Sequence, residues 1–164
     1  MRTFRAMPIA LVLAACTMFA SCASGPPKPQ PVNVKLNIVV STDANPDAQN
    51  RPSPIVVRIF QLKDDAAFKD ADFFTLYDKE EATLAASLVA RVEYELAPGE
   101  SRSVDYSVTP DTRFIGVIAA YRNIRDAQWR ALSGPADKGA IDVVKNNKLG
   151  LAVDRARVHF AASK

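Results

Sequence analysis

Apolar and polar positions change rhythm several times along this chain, and each change marks a different kind of segment. From Ala6 to Ala20 apolar residues run together without alternation. From Val32 to Val40 the period is two, with Val32, Val34, Leu36, Ile38 and Val40 set against Asn33, Lys35 and Asn37. That is the pattern of a half-buried strand. Between Thr42 and Pro54 the chain has three prolines, two asparagines and two aspartates, which predicts a long polar loop. Ile55 to Leu62 resumes as a second strand rich in β-branched residues.

The next stretch, around 64–86, loses the alternation. Phe68, Phe73, Phe74, Leu76, Tyr77 and Leu84 recur among Asp, Lys, Glu and Ala, and short helices fit this spacing best. Asp70 or Asp72 is placed to cap a helix carrying Phe73, Leu76 and Tyr77 on one face, while Asp64 and Asp65 read as helix-entry charges. The aromatic residues read as the surface that packs this insertion on a sheet.

Period two returns in Ala90, Val92, Tyr94 and Leu96, and again in Val104, Tyr106 and Val108. Between them, Ala97-Pro98-Gly99-Glu100 has proline and glycine at the central positions of a type II turn, so a hairpin is predicted. Thr109-Pro110-Asp111 turns the chain again, and Phe114 to Tyr121 is nearly continuous apolar sequence, as in a strand covered on both faces. Gln128 to Leu132 gives another short strand. Beyond it the apolar parity of Leu149, Leu151 and Val153 switches to Ala156, Val158 and Phe160, which predicts a bulge or tight bend at Asp154-Arg155. Seven or so short strands separated by turn signals indicate a mainly β, two-sheet β-sandwich with a small helical insertion.

The unalternating first segment has its own logic. Arg2 and Arg5 precede an apolar run that is too short to span a bilayer and ends in small residues, as in an export signal over 1–21. Phe19-Ala20-Ser21-Cys22 follows the order of a lipobox, which makes Cys22 the expected lipidated residue. Leu13-Ala14-Ala15-Cys16 is the alternative; it fits the consensus better but would leave Met18 and Phe19 exposed on the mature arm. A cleaved signal without lipid is the other alternative. Both cysteines lie at this end, so the fold itself needs no disulfide. Acyl chains on Cys22, at about 0.8 kcal/mol per buried methylene, would anchor the protein without a span. Residues 23 and 24 are not aspartate, the residue that commonly retains lipoproteins in the inner membrane, so the outer membrane is the expected site. The tether, 22–31, has four prolines between Ser24 and Pro31. Extended at about 3.1 Å per residue, it would hold the domain over 32–164 roughly 25 Å from the bilayer.

Charge and chemistry narrow the function. The chain has 21 basic and 18 acidic side chains, and loss of the first segment leaves a balance of +1, which argues against a nucleic-acid partner. There is one histidine, His159, on the parity of Arg155 and Arg157 and read as a solvent-facing strand residue. No paired histidines exist to hold zinc, and no glycine-rich phosphate loop is present. Asp43, Asn45 and Asp47 are spaced like the start of a calcium loop, but Ala48 replaces the required glycine and Pro54 the bidentate glutamate. No catalytic residue, metal or cofactor is assigned. The loop from Thr42 to Pro54 remains, either as a partner-binding loop on a rigid sandwich or as a variable surface loop.

Asn45-Pro46-Asp47, the run Arg51 to Leu62, Phe68 and Ala71 to Phe74 together resemble the TssJ family of type VI secretion lipoproteins. Pro98-Gly99-Glu100, Phe114 to Arg122 and Ala127 to Arg130 agree in order along nearly the whole mature chain. The resemblance implies a transthyretin-like sandwich with no enzymatic role, tethered to the periplasmic face of the outer membrane. It implies as partner the periplasmic C-terminal domain of TssM, the IcmF-like inner-membrane component. The family contact is the loop joining the first two strands, here Thr42 to Ser53, so Asn45, Pro46, Asp47, Gln49, Asn50 and Arg51 are the expected contacts. The alternative is a periplasmic ligand-binding or adhesin-like lipoprotein that uses the sandwich face. It requires Tyr121, Trp129 and the Phe73 cluster to line an open pocket.

Overall fold

The structure is a computed structural model that describes residues 29–134, 144–145 and 147–161. The expected signal (1–21), Cys22, most of the tether and the last three residues lie outside the described residues.

Each alternating segment of the sequence is a strand. β1 (Val32–Val40) lies between β4 (Ser101–Val108), antiparallel, and β8 (Lys148–Val153), parallel. The other edge of β8 is shared end to end by β7 (Val144–Lys145) and β9 (Val158–Ala161). The second sheet runs β3 (Leu88–Leu96), β2 (Ile55–Leu62), β5 (Phe114–Ala119), β6 (Arg130–Leu132), all antiparallel. Leu36, Ile38, Ile55, Ile59, Val117 and Leu151 close the space between the two sheets and are fully buried. Period two thus becomes a sandwich because both sheets turn their apolar sides to one core.

The helical insertion covers the outer side of the second sheet. α1 (Ala66–Asp70), α2 (Phe73–Asp78) and α3 (Glu80–Leu84) are followed by one 3-10 turn, Ala85–Ser87. Phe68, Phe73, Leu76 and Leu84 pack on Phe60, Leu62 and Ile118 to make a second core. β5 is therefore apolar on both faces for a visible reason. Asp72 caps α2, its carboxylate accepting from the Thr75 N–H at 2.9 Å, and Asp64 accepts from the Ala66 N–H at 2.9 Å. Gly116 lets Phe68 lie flat on β5, since a Cβ there would sit 2.7 Å from the ring.

The predicted hairpin is not formed. The type II turn is present, with Gly99 at φ +78° and Glu100 N–H donating to Ala97 O at 3.1 Å. The strands on either side of it join different sheets, β3 pairing with β2 and β4 with β1. The turn is an arch over the end of the sandwich, and Val92 and Leu96 face the shared core from one sheet while Val104 and Tyr106 face it from the other. Alternation gives each strand an inner face but does not say which neighbour completes its ladder. The predicted strand over Gln128–Leu132 is shorter than expected, because Gln128 bridges to Arg157 in the other layer. The bend at Asp154-Arg155 is a tight reversal, with Asp154 N–H on Arg157 O at 2.7 Å and Val153 facing Val158. His159 is half-exposed, its Nδ1 3.5 Å from an Asp154 carboxylate oxygen.

Candidate functional site

The β1–β2 loop is polar on its outside and highly ordered within. Its base is closed by the Ser53 N–H donating to Ala44 O at 3.1 Å. Next to that bond, Asn45 has φ +49° and is only 3% exposed. Its Nδ2 donates to Pro54 O and its Oδ1 accepts from the Arg122 N–H, each at 2.7 Å. Its own N–H donates to Arg155 O at 3.1 Å. One asparagine thus ties the loop to itself, to the β5–β6 connection and to the β8–β9 turn. Asparagine suits the position because it tolerates left-handed backbone and has an amide that both donates and accepts.

Asp47 organises the tip. One carboxylate oxygen accepts from the N–H groups of Gln49 and Arg51, both at 2.9 Å, and the other is held by the Arg51 guanidinium at 2.7 and 2.8 Å. The backbone closes the same ring, with Asp47 N–H on Arg51 O and Asn50 N–H on Asp47 O, both at 2.9 Å. The Arg51 N–H and then its guanidinium hold the Asp47 carboxyl below the ordinary value of 3.8. Asn50 sits at φ +62° and its side-chain oxygen accepts from Arg155 at 2.8 Å. Gln49, Asn50, Arg51 and Ala48 are exposed, and Pro46 is half-buried.

The structure therefore divides the six expected contact residues. Asn45 faces inward as a brace, Asp47 spends both oxygens inside the loop, and Pro46, Gln49, Asn50 and Arg51 offer the accessible surface. The calcium-like spacing does not bring its side chains together, because Asp43 turns to Ser41 and Arg155 while Asn45 and Asp47 take the partners just described.

A cleft of about 580 Å³ opens beside the loop, walled also by the β5–β6 connection and the β8–β9 turn. Tyr121 forms part of its floor, and its buried hydroxyl donates to Asp154 O at 3.1 Å; burial pushes the phenol well above its usual range. Arg122 and Arg155 line the cleft, and the sequence reading assigned neither a role there. No local pattern announces them, since their significance comes from three loops meeting at one end of the sandwich. The aromatic cluster is closed: Phe73 stacks on Tyr77 at 5.3 Å and meets Trp129 edge-on at 5.4 Å. Phe73 and Tyr121 are both at least nine-tenths buried, so the aromatic pocket that the ligand-binding alternative requires is occupied by the side chains themselves.

A sequence model of the type VI secretion lipoprotein family (VasD, EvfM, TssJ) matches residues 32–156. The chain belongs to that family. Three solved structures agree with this type VI secretion lipoprotein over nearly their whole length. The T6SS lipoprotein TssJ1 from Pseudomonas aeruginosa is 30% identical with a TM-score of 0.69, covering 82% of this chain and 98% of its own. The Serratia marcescens protein Lip, described as a membrane-bound component of the type VI secretion system, is 26% identical with a TM-score of 0.69, over 82% and 99%. A chain of a structure described as a type VI membrane complex is 27% identical with a TM-score of 0.68, over 80% and 99%. No curated protein matches by sequence. The family is one of secretion-machine lipoproteins and not of enzymes.

Proposed function

We propose that the chain is held by acyl chains on Cys22 to the periplasmic face of the outer membrane. From there the loop Thr42–Ser53 docks the periplasmic C-terminal domain of the inner-membrane protein TssM. The observation that carries this reading is the construction of the loop. Asn45, Asp47 and Arg51 hold a polar segment of the chain in one conformation, so little ordering entropy is lost when a partner meets it. Membership of the lipoprotein family and the likeness to a chain of a type VI membrane complex support the same partner. In this arrangement Pro46, Gln49, Asn50 and Arg51 touch the partner, while Asn45 and Asp47 present them. The 22–31 tether lets one end of the domain follow the outer membrane while the loop grips a protein rooted in the inner one.

The test is binding between the full chain in detergent and the TssM C-terminal domain, beside a form lacking Pro46 to Arg51. The existing Ala44–Ser53 hydrogen bond closes the base of the shortened loop, so the deletion is expected to fold. Binding should disappear with the loop; undiminished affinity of a folded deletion would remove the loop from the interface.

A further inference from the structure

Charge at the cleft beside the loop is unevenly spent. Of its acidic residues, Asp47 is fully engaged by Arg51 and by backbone N–H groups, and Asp126 accepts from the Asn123 amide at 2.7 Å. Its two arginines are in a different position. Arg155 donates to the neutral amide of Asn50 at 2.8 Å and reaches the Asp43 carboxylate only at 3.9 Å. The exposed guanidinium of Arg122 makes no hydrogen bond or ion pair among the described residues, although its backbone is fixed by Asn45 at 2.7 Å. The lining thus balances two arginines with two aspartates, but both arginines have pinned backbones and neither has a carboxylate partner closer than 3.9 Å among the described residues.

Resting on the docking function above, we infer that this cleft is a second part of the same interface and receives an acidic side chain of the partner protein. Arg122 and Arg155 supply its charge-assisted hydrogen bonds. The loop alone then provides shape, and the cleft provides register and electrostatic steering. A protein carboxylate fits better than a lipid phosphate because of where the chain enters. The tether joins at Val32 and the cleft lies beyond Val40, about 30 Å away along β1, so an anchor at Val32 points the cleft away from its own membrane.

The experiment measures association of the full chain, in detergent, with the TssM C-terminal domain at low and moderate salt. It compares the unaltered chain with Arg122→Gln, Arg155→Gln, Asn50→Ala and the Pro46–Arg51 deletion, with circular dichroism reporting the fold of each. Asn50→Ala keeps the Arg155 charge but removes its bond to the loop. Arg122→Gln and Arg155→Gln should each weaken binding about tenfold at low salt, mostly through the association rate, and flatten the salt dependence. Asn50→Ala removes a loop contact as well, so it should weaken binding, but it should keep the salt dependence. Arg122→Glu should bind more weakly than either glutamine variant, and reversing one acidic residue of the partner to lysine should restore it.

If both glutamine variants bind like the unaltered chain while the deletion does not bind, the cleft proposal is overturned and the loop reading stands. Equal losses in Arg155→Gln and Asn50→Ala, with salt dependence unchanged, would make Arg155 a brace for the loop and overturn its part as a carboxylate contact. Absence of binding by the unaltered chain would remove both readings together.

Discussion

Asn45 is the residue on which the loop end depends most. Replacing it with alanine leaves Pro54 O and the Arg122 N–H without their partners and places an ordinary side chain at φ +49°. Asn45→Ala should therefore lower stability by about 1–3 kcal/mol, read from the urea midpoint, and weaken partner binding as well. Asn45→Gly separates the causes, because it relieves the backbone but not the lost hydrogen bonds. Asp47 makes a different, pH-dependent prediction. Its folded pKa lies below 3.8, so its contribution is complete above that value and is lost as pH falls through the lower folded one. Amide signals of Gln49 and Arg51 should hold steady from neutral pH to about 4 and shift together only in stronger acid. A shift near neutrality would contradict the geometry. Asp47→Asn should abolish the acid transition while keeping part of the turn.

At the scale of elements, what could be read from the sequence followed local rules. The strands show as period two, the insertion as broken alternation with an aspartate cap, and the type II turn, though not its role as an arch, as Pro98-Gly99. What escaped is pairing at a distance. Nothing local tells that β1 lies parallel to β8, more than a hundred residues away, or that β3 and β4 part company after their turn. The same boundary divides the candidate site: the loop is visible as a polar, proline-stiffened run, but the contributions of Arg122 and Arg155 arise only when distant turns converge. The insertion offers a test of the element as a unit. It is fastened by Phe68 over Gly116 and by Arg58, which lies 4.0 Å from the centre of the Tyr77 ring and pairs with Glu80 at 3.1 Å. Gly116→Ala would push a methyl group into the Phe68 ring, and overpacking of this kind costs about 1–3 kcal/mol. Hydrogen exchange should rise across α1 to α3 while affinity for the partner stays the same, since the insertion lies on the opposite face of β5 from the inter-sheet core.

For the whole molecule, the decisive fact is that β1 joins the end where the chain enters the domain to the loop proposed to dock the partner. It is paired along both edges, antiparallel to β4 and parallel to β8, with Val34, Leu36, Ile38 and Val40 buried beneath it. In the proposed arrangement, tension between an outer-membrane anchor before Val32 and a partner held beyond Val40 would run along the strand, across the direction of its hydrogen bonds. The covalent backbone of the extended strand then carries the load from end to end, while the two ladders hold it in place. Pulling on Val32 and Val108 is a different geometry, because these two residues face one another in the β1–β4 ladder and the bonds would open one after another. Single-molecule force measurements should therefore show no unfolding step for attachment at residues 32 and 41 at forces where attachment at 32 and 108 opens the β1–β4 ladder. An unfolding step at equal force in both geometries would mean that β1 does not carry load from one end to the other, and that any coupling between the two membranes takes another path through the domain.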